Sequence, residues 1–187
     1  MSGNRKSIRV KNYDYIQAGV YYVTVCAYKN IRRGASRSAL DVNIDIFGHI
    51  KNGKMILNGM GQIINNSWQW LEEQYEYVEL DEFIVMPNHV HGVICINDMQ
   101  KGGSRINDQG ASRSAPTVKR KPLGRLIGAF KTVSTKQINI IIKTPGARLW
   151  QHNFYEHIVR DEFDLNRIRE YSINNPVQWA DDEDYSV

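Results

Sequence analysis

Cysteine is scarce. Cys26 and Cys95 are the only two, they stand in separate apolar runs, and no C-x-x-C pair occurs. A disulfide framework is therefore excluded, and both residues read as buried core thiols. Long apolar runs are missing as well: no stretch approaches the roughly 20 residues that span a bilayer. The opening MSGNRKSIRVKNYDY lacks the apolar segment of a secretion signal, so the expected location is the cytoplasm. No G-x-x-x-x-G-K-[ST] occurs either, which removes the usual nucleotide-binding phosphate loop. What is present, 42% hydrophobic and 24% charged residues, excludes a disordered, collagen-like or fibrous chain. A length of 187 residues suits one domain, residues 1–187, with a sizeable core.

Acidic residues are absent from one long stretch. Between Gln109 and Tyr155 there is none, while Arg113, Lys119, Arg120, Lys121, Arg125, Lys131, Lys136, Lys143 and Arg148 are basic. The N-terminus adds Arg5, Lys6, Arg9 and Lys11, and the formal net charge is +4. Such a distribution marks a candidate phosphate-binding surface, against the plainer reading of ordinary solvated positions. The acids Asp181, Asp182, Glu183 and Asp184 read as a solvated terminus.

The patterning alternates strands and helices. Gly19–Ala27 is β-branched and aromatic and predicts a buried strand. Phe47–Leu57 holds Asn52-Gly53 between short apolar runs, a hairpin signal. Met60, Ile63, Ile64, Trp68 and Leu71 recur at helical spacing up to Tyr75. Glu82–Met86 and His89–Ile96 read as an antiparallel pair turning at Pro87-Asn88. Leu123, Leu126, Ile127, Phe130 and Val133 stripe a second helix that opens with Pro122 in its first turn, Phe154–Val159 reads as a fourth core strand, and a last helix starts near Asp161 or Asp164 and stops at Pro176. The order is the βαββαβ of a ferredoxin-like, RRM-like α+β sandwich with an antiparallel sheet, plus a C-terminal helix. Surface insertions are expected near 31–45 and 97–118, each holding a copy of the repeat GASRSA, Gly34–Ala39 and Gly110–Ala115.

Two groups of residues carry chemistry. His89 and His91 lie two apart on a predicted strand, so both imidazoles leave one face while Val90 enters the core. That is a two-toothed metal ligand with room for a substrate phosphate, or else two histidines on a half-exposed sheet face. Tyr171 lies beside the apolar stripe of the last helix, where its hydroxyl could attack phosphorus, and Asn175, four residues on, could lend a carbonyl oxygen to the same metal. Without that chemistry Tyr171 is a packing residue and Asn175 a helix-ending amide.

Together, Tyr13-Asp14-Tyr15 with Gly19–Cys26, Val85-Met86-Pro87-Asn88-His89-Val90-His91-Gly92, Leu123–Lys131, Leu149-Trp150-Gln151 with Tyr155–Glu162, and Arg169-Glu170-Tyr171 with Asn175-Pro176 resemble, in the same order, the blocks of the HUH single-tyrosine transposases. The likeness covers nearly the whole chain, and the REP-associated tyrosine transposases are the subgroup it resembles. The resemblance implies a divalent metal, Mg²⁺ or Mn²⁺, on His89 and His91, with Asn175 completing the site and Glu170 or His157 as substitutes. It implies Tyr171 as nucleophile, with Tyr155 as the rival tyrosine, and a nucleoid-associated monomer or homodimer that acts on single-stranded DNA hairpins and not on membranes. The expected activity is metal-dependent cleavage and rejoining through a 5′-phosphotyrosine, with Arg5, Lys6, Arg9, Lys119, Arg120, Lys121, Arg125 and Lys131 on the DNA backbone. The competing expectations are a non-cleaving hairpin or RNA-binding module of RRM-like fold, and a metal-dependent hydrolase using water.

Overall fold

The computed structural model describes residues 13–28, 45–98 and 120–179. Both copies of GASRSA, nearly all of the two expected insertions and the acidic terminus lie outside the described residues. The elements run β1 (Gly19–Cys26), β2 (Gly48–Lys51), β3 (Lys54–Leu57), α1 (Gly59–Gln74), β4 (Val78–Val85), β5 (His89–Ile96), α2 (Leu123–Ile141), β6 (Tyr155–Val159) and α3 (Glu162–Asn174). Four strands form one sheet in the order β4-β5-β1-β6, every neighbouring pair antiparallel, and β2-β3 is a separate hairpin. This is the expected ferredoxin-like α+β architecture.

The two faces of the sheet carry different chemistry because side chains alternate along each strand. Tyr21, Val23 and Val25 of β1 and Val90, Ile94 and Ile96 of β5 enter the main core with Ile64, Trp68 and Leu71 of α1 and Leu126, Ile127 and Phe130 of α2. Trp68 stacks on Phe83, with ring centroids 4.6 Å apart, and stands edge-on to Phe130. Gly92 leaves room for that stack, since a Cβ there would lie 2.4 Å from Trp68. On the opposite face Tyr22, Val93, Leu165 and Ile168 form a small second cluster that seats α3.

Local signals explain the boundaries. Asn52 and Gly53 take positive φ angles of 53° and 69°, as a tight hairpin turn of this kind requires. Asn58 caps α1 by accepting from the amides of Met60 and Gly61. Asp161, of the two aspartates considered, is the cap of α3. Pro122 sits one position before the first turn of α2, as its cap residue.

Two expectations need correction. β4 begins at Val78 and not at Glu82, with a register shift between Leu80 and Phe83. The charged Asp81-Glu82 pair, which looks like a strand boundary, is a bulge inside the strand. Cys26 and Cys95 are half-exposed. They stand on the sheet face that α3 only partly covers, not in the main core.

Candidate active site

β5 starts directly after the Pro87-Asn88 turn, which is closed by the Met86 amide on the His89 carbonyl at 2.8 Å. His89 and His91 then share the α3 face and are fully buried, 0% and 2% exposed. Their Nε2 atoms lie 2.8 Å apart. Each Nδ1 is engaged elsewhere: His89 Nδ1 donates to Asn88 Oδ1 at 2.8 Å, and His91 Nδ1 meets Tyr22 Oη at 2.7 Å and Thr24 Oγ1 at 2.9 Å. Tyr22 also stacks flat on the His91 ring. Burial pushes the His89 imidazole down to about 3, so it is neutral near pH 7. A neutral His89 that donates from Nδ1 presents a lone pair at Nε2. The two Nε2 atoms at 2.8 Å share one proton, or a cation in its place.

The third element is α3. Leu165 and Ile168 pack on Tyr22 and Val93, and polar side-chain bonds fasten the helix to both edges of the sheet. Asp164 binds His157 of β6 and Arg167, each at 2.7 Å, and Arg169 grips Asp81 of β4 with two bonds of 2.8 and 2.6 Å. The His157 and Arg169 bonds hold the Asp164 and Asp81 carboxyls below the ordinary carboxylate range. So placed, the ring of Tyr171 stands edge-on to His91 at 5.4 Å while Tyr171 stays 43% exposed. One turn later Asn175 is 2% exposed, its Nδ2 lies 3.4 Å from His91 Nε2, and its Oδ1 is buried without a hydrogen-bond partner.

The donor set fits a divalent metal. Two ligands about 2.1 Å from a metal and at right angles to it stand about 3.0 Å apart, close to the spacing of the histidine pair. A half-turn of the Asn175 amide exchanges its two ends and presents the orphaned oxygen to the same point. Among the described residues no third His, Cys, Asp or Glu joins the pair, which leaves His157 and Glu170 outside it. His157 is committed to Asp164, and Tyr155 is exposed on the edge strand.

Four residues at the site carry no signal that singles them out in sequence. Tyr22, Thr24 and Asn88 support the histidines, and Trp179 lies with its ring 5.7 Å from that of His89. Thr24 and Tyr22 share the histidine face of β1, and only the strand register, Thr24 opposite His91, brings them in.

The basic residues are more scattered. Arg5, Lys6, Arg9 and Lys119 lie outside the described residues. Arg120 pairs with Asp98 at 2.6 Å, just past the far end of β5 from His89, and seven rises of about 3.4 Å put that end about 24 Å away. Lys121 binds the Tyr75 hydroxyl and lies over its ring. Arg125 is exposed on α2. Lys131 directs its ammonium at the carbonyls of Gln151, His152 and Asn153, at 2.9, 3.2 and 3.0 Å, so its three donors hold a loop. Burial pushes its amine down to about 8.

The sequence is 34% identical over 183 residues to an uncharacterized protein of Haemophilus influenzae, covering 97% of this chain and 93% of that one. The chain belongs to the family of that protein. No protein-family model matches it. Among solved structures, a REP-associated tyrosine transposase bound to a REP hairpin superposes with a TM-score of 0.54 at 15% identity, over 91% of this chain and 73% of the other. A candidate transposase from Deinococcus radiodurans superposes with a TM-score of 0.45 at 13% identity, over 87% and 93%. This member of the Haemophilus protein's family thus has the fold of the REP-associated tyrosine transposase. Among its described residues no helix is long and apolar enough to cross a membrane.

Proposed function

We propose that this protein cuts and rejoins single-stranded DNA at folded hairpins, as a tyrosine transposase does, through a covalent link to Tyr171. The observation that carries the reading is the meeting of β5, β1 and α3 at one point: two buried, mutually facing imidazoles, an orphaned amide oxygen and an accessible phenol. A buried oxygen without a partner is costly, and a cation held between the Asn175 oxygen and the imidazole pair would satisfy it. The hairpin substrate is suggested by the fold neighbour, which is bound to a REP hairpin.

His89 Nε2, His91 Nε2 and Asn175 Oδ1 would hold Mg²⁺ or Mn²⁺, which supplies charge stabilisation to the phosphate oxygens. Asn88, Tyr22 and Thr24 fix the ring orientations, so both Nε2 atoms face one point. Tyr171 Oη attacks phosphorus: the new P–O bond forms to the phenol, the bond to the 3′ oxygen breaks, and that oxygen takes a proton while the phenol loses one. A 5′-phosphotyrosine and a free 3′-hydroxyl result. Attack by another 3′-hydroxyl reverses the step and restores the diester, so the bond energy is kept without ATP.

The test is incubation of the full chain with single-stranded hairpin DNA from the flanks of its gene, in Mn²⁺ or EDTA. The expected product is a denaturation-resistant protein–DNA adduct that requires metal and is lost in Tyr171→Phe and His89→Ala. Tight hairpin binding with no adduct would replace the proposal with a binding module. Metal-dependent cutting with no adduct would replace it with a hydrolase that uses water.

A further inference from the structure

A groove of about 760 Å³ opens between the outer side of α2 and the loop that leads into β6. Lys136, Lys143 and Arg148 line it, with the apolar Ile140 and Leu149 beside them. Among the described residues neither Lys136 nor Lys143 pairs with a carboxylate, and the sequence offers none between Gln109 and Tyr155. Arg148 lies with its guanidinium 5.1 Å from the Tyr28 ring centroid. Lys131, at one end, is spent on loop carbonyls and serves as wall.

The residue at the end of α2 adds an independent observation. Lys143 has a φ of 55°, the left-handed conformation after a helix that favours glycine, with the Thr144 amide bonded back to Asn139. A lysine there is a conformational cost accepted for a side chain that finds no ion-pair partner within the described fold.

The groove lies at the end of the sheet where the histidine strand begins, on the α2 side and not on the face that carries the histidines. Trp150 bridges Ala27, the Gln151 amide donates to the Cys26 carbonyl, and Cys26 lies opposite His89 in register. Its floor is therefore two strand spacings, about 10 Å, from the histidine strand. We infer that this groove binds the phosphate backbone of single-stranded DNA on the α2 side of the sheet, through Lys136, Lys143 and Arg148. The inference rests on the nucleic-acid part of the function proposed above and not on its covalent step.

The test measures binding of the full chain to a labelled oligo(dT) of about 12 nucleotides, within the roughly 4–16 that such grooves cover. It is run in EDTA over a range of salt, with a blunt duplex as control. Two phosphate contacts on a single strand contribute about 1.4 to the slope of log affinity against log salt. Lys136→Ala/Lys143→Gly is expected to lose that much slope and about tenfold affinity at low salt. Its Tm should be no lower than that of the parent, because glycine suits the left-handed position. The duplex should change less. An unchanged slope and Kd on oligo(dT), or equal losses on strand and duplex, would overturn the inference, as would a parent protein that fails to bind oligo(dT) at all. A groove effect without a Tyr171 adduct would sink the covalent reading alone.

Discussion

Replacing Tyr22 by phenylalanine isolates a single bond at the candidate metal centre. The ring stacked on His91 stays, with centroids 5.6 Å apart, and only the hydroxyl 2.7 Å from Nδ1 is lost. Thr24 Oγ1 remains at 2.9 Å, so His91 keeps one partner to hold its tautomer. Removing the partner of a metal-bound imidazole costs about 10–100-fold in metal affinity. The single change belongs at the lower end, about tenfold or 1.4 kcal/mol, since one hydroxyl still serves. Tyr22→Phe combined with Thr24→Val strips both and belongs near 100-fold, because both hydroxyls that orient Nδ1 are then gone. Calorimetric titration of the full chain with Mn²⁺ reads this without reference to DNA or activity. Unfolding in EDTA, measured alongside, separates loss of metal from loss of fold. If the double variant binds Mn²⁺ as tightly as the parent, the orienting role assigned to these hydroxyls is wrong. If the parent itself shows no Mn²⁺ binding, the metal centre falls with it.

Two further outcomes are expected from the packing and from the helix anchors. Gly92→Ala places a Cβ 2.4 Å from Trp68 and 2.9 Å from Phe83, two stacked rings with no free space, so it should destabilise by about 1–3 kcal/mol in chemical denaturation; an unchanged midpoint would show that the stack can shift. Asp81 has its carboxyl pulled below its ordinary 3.8 by Arg169, so its contribution to stability is complete above that value and is lost as pH falls through the lower, folded one. Asp81→Asn should therefore be less stable than the parent near neutrality and converge with it on acidification, and parallel stability curves down to pH 2 would contradict this.

The elements with period and turn chemistry of their own were legible from sequence. The Asn52-Gly53 turn, the α1 stripe ending on Leu71 and the H-x-H alternation each follow from local rules, and each stands where those rules put it. The start of β4 was hidden because Asp81 and Glu82 interrupt an alternation that resumes across the bulge, and Asp81 finds its partner in Arg169, 88 residues away. Register hid Tyr22 and Thr24 in the same way. Nothing in β1 says which strand will lie beside it, so their hydroxyls acquire a role only once Thr24 falls opposite His91. Lys131 shows a role that only the fold reveals. Residue type and neighbours made it a phosphate contact, whereas the loop at 151–153 folds back to satisfy it.

The two faces of the sheet divide stability from chemistry. On the α1 and α2 side most of the fully buried residues are apolar and large, Trp68, Phe130, Tyr21 and Ile94 among them, with Ser67 and Ser134 as small polar exceptions. On the α3 side the buried residues include Thr24, His89, His91, Ser172 and Asn175, and the apolar cluster that seats the helix is small. A helix held by little apolar area depends more on its polar fastenings, here Asp81 with Arg169 and His157 with Asp164. The element that carries Tyr171 is thus held by a small apolar cluster together with polar bonds to both edges of the sheet. The function proposed here, in which Tyr171 would admit a DNA strand beside buried ligands and release it afterwards, calls for such a division.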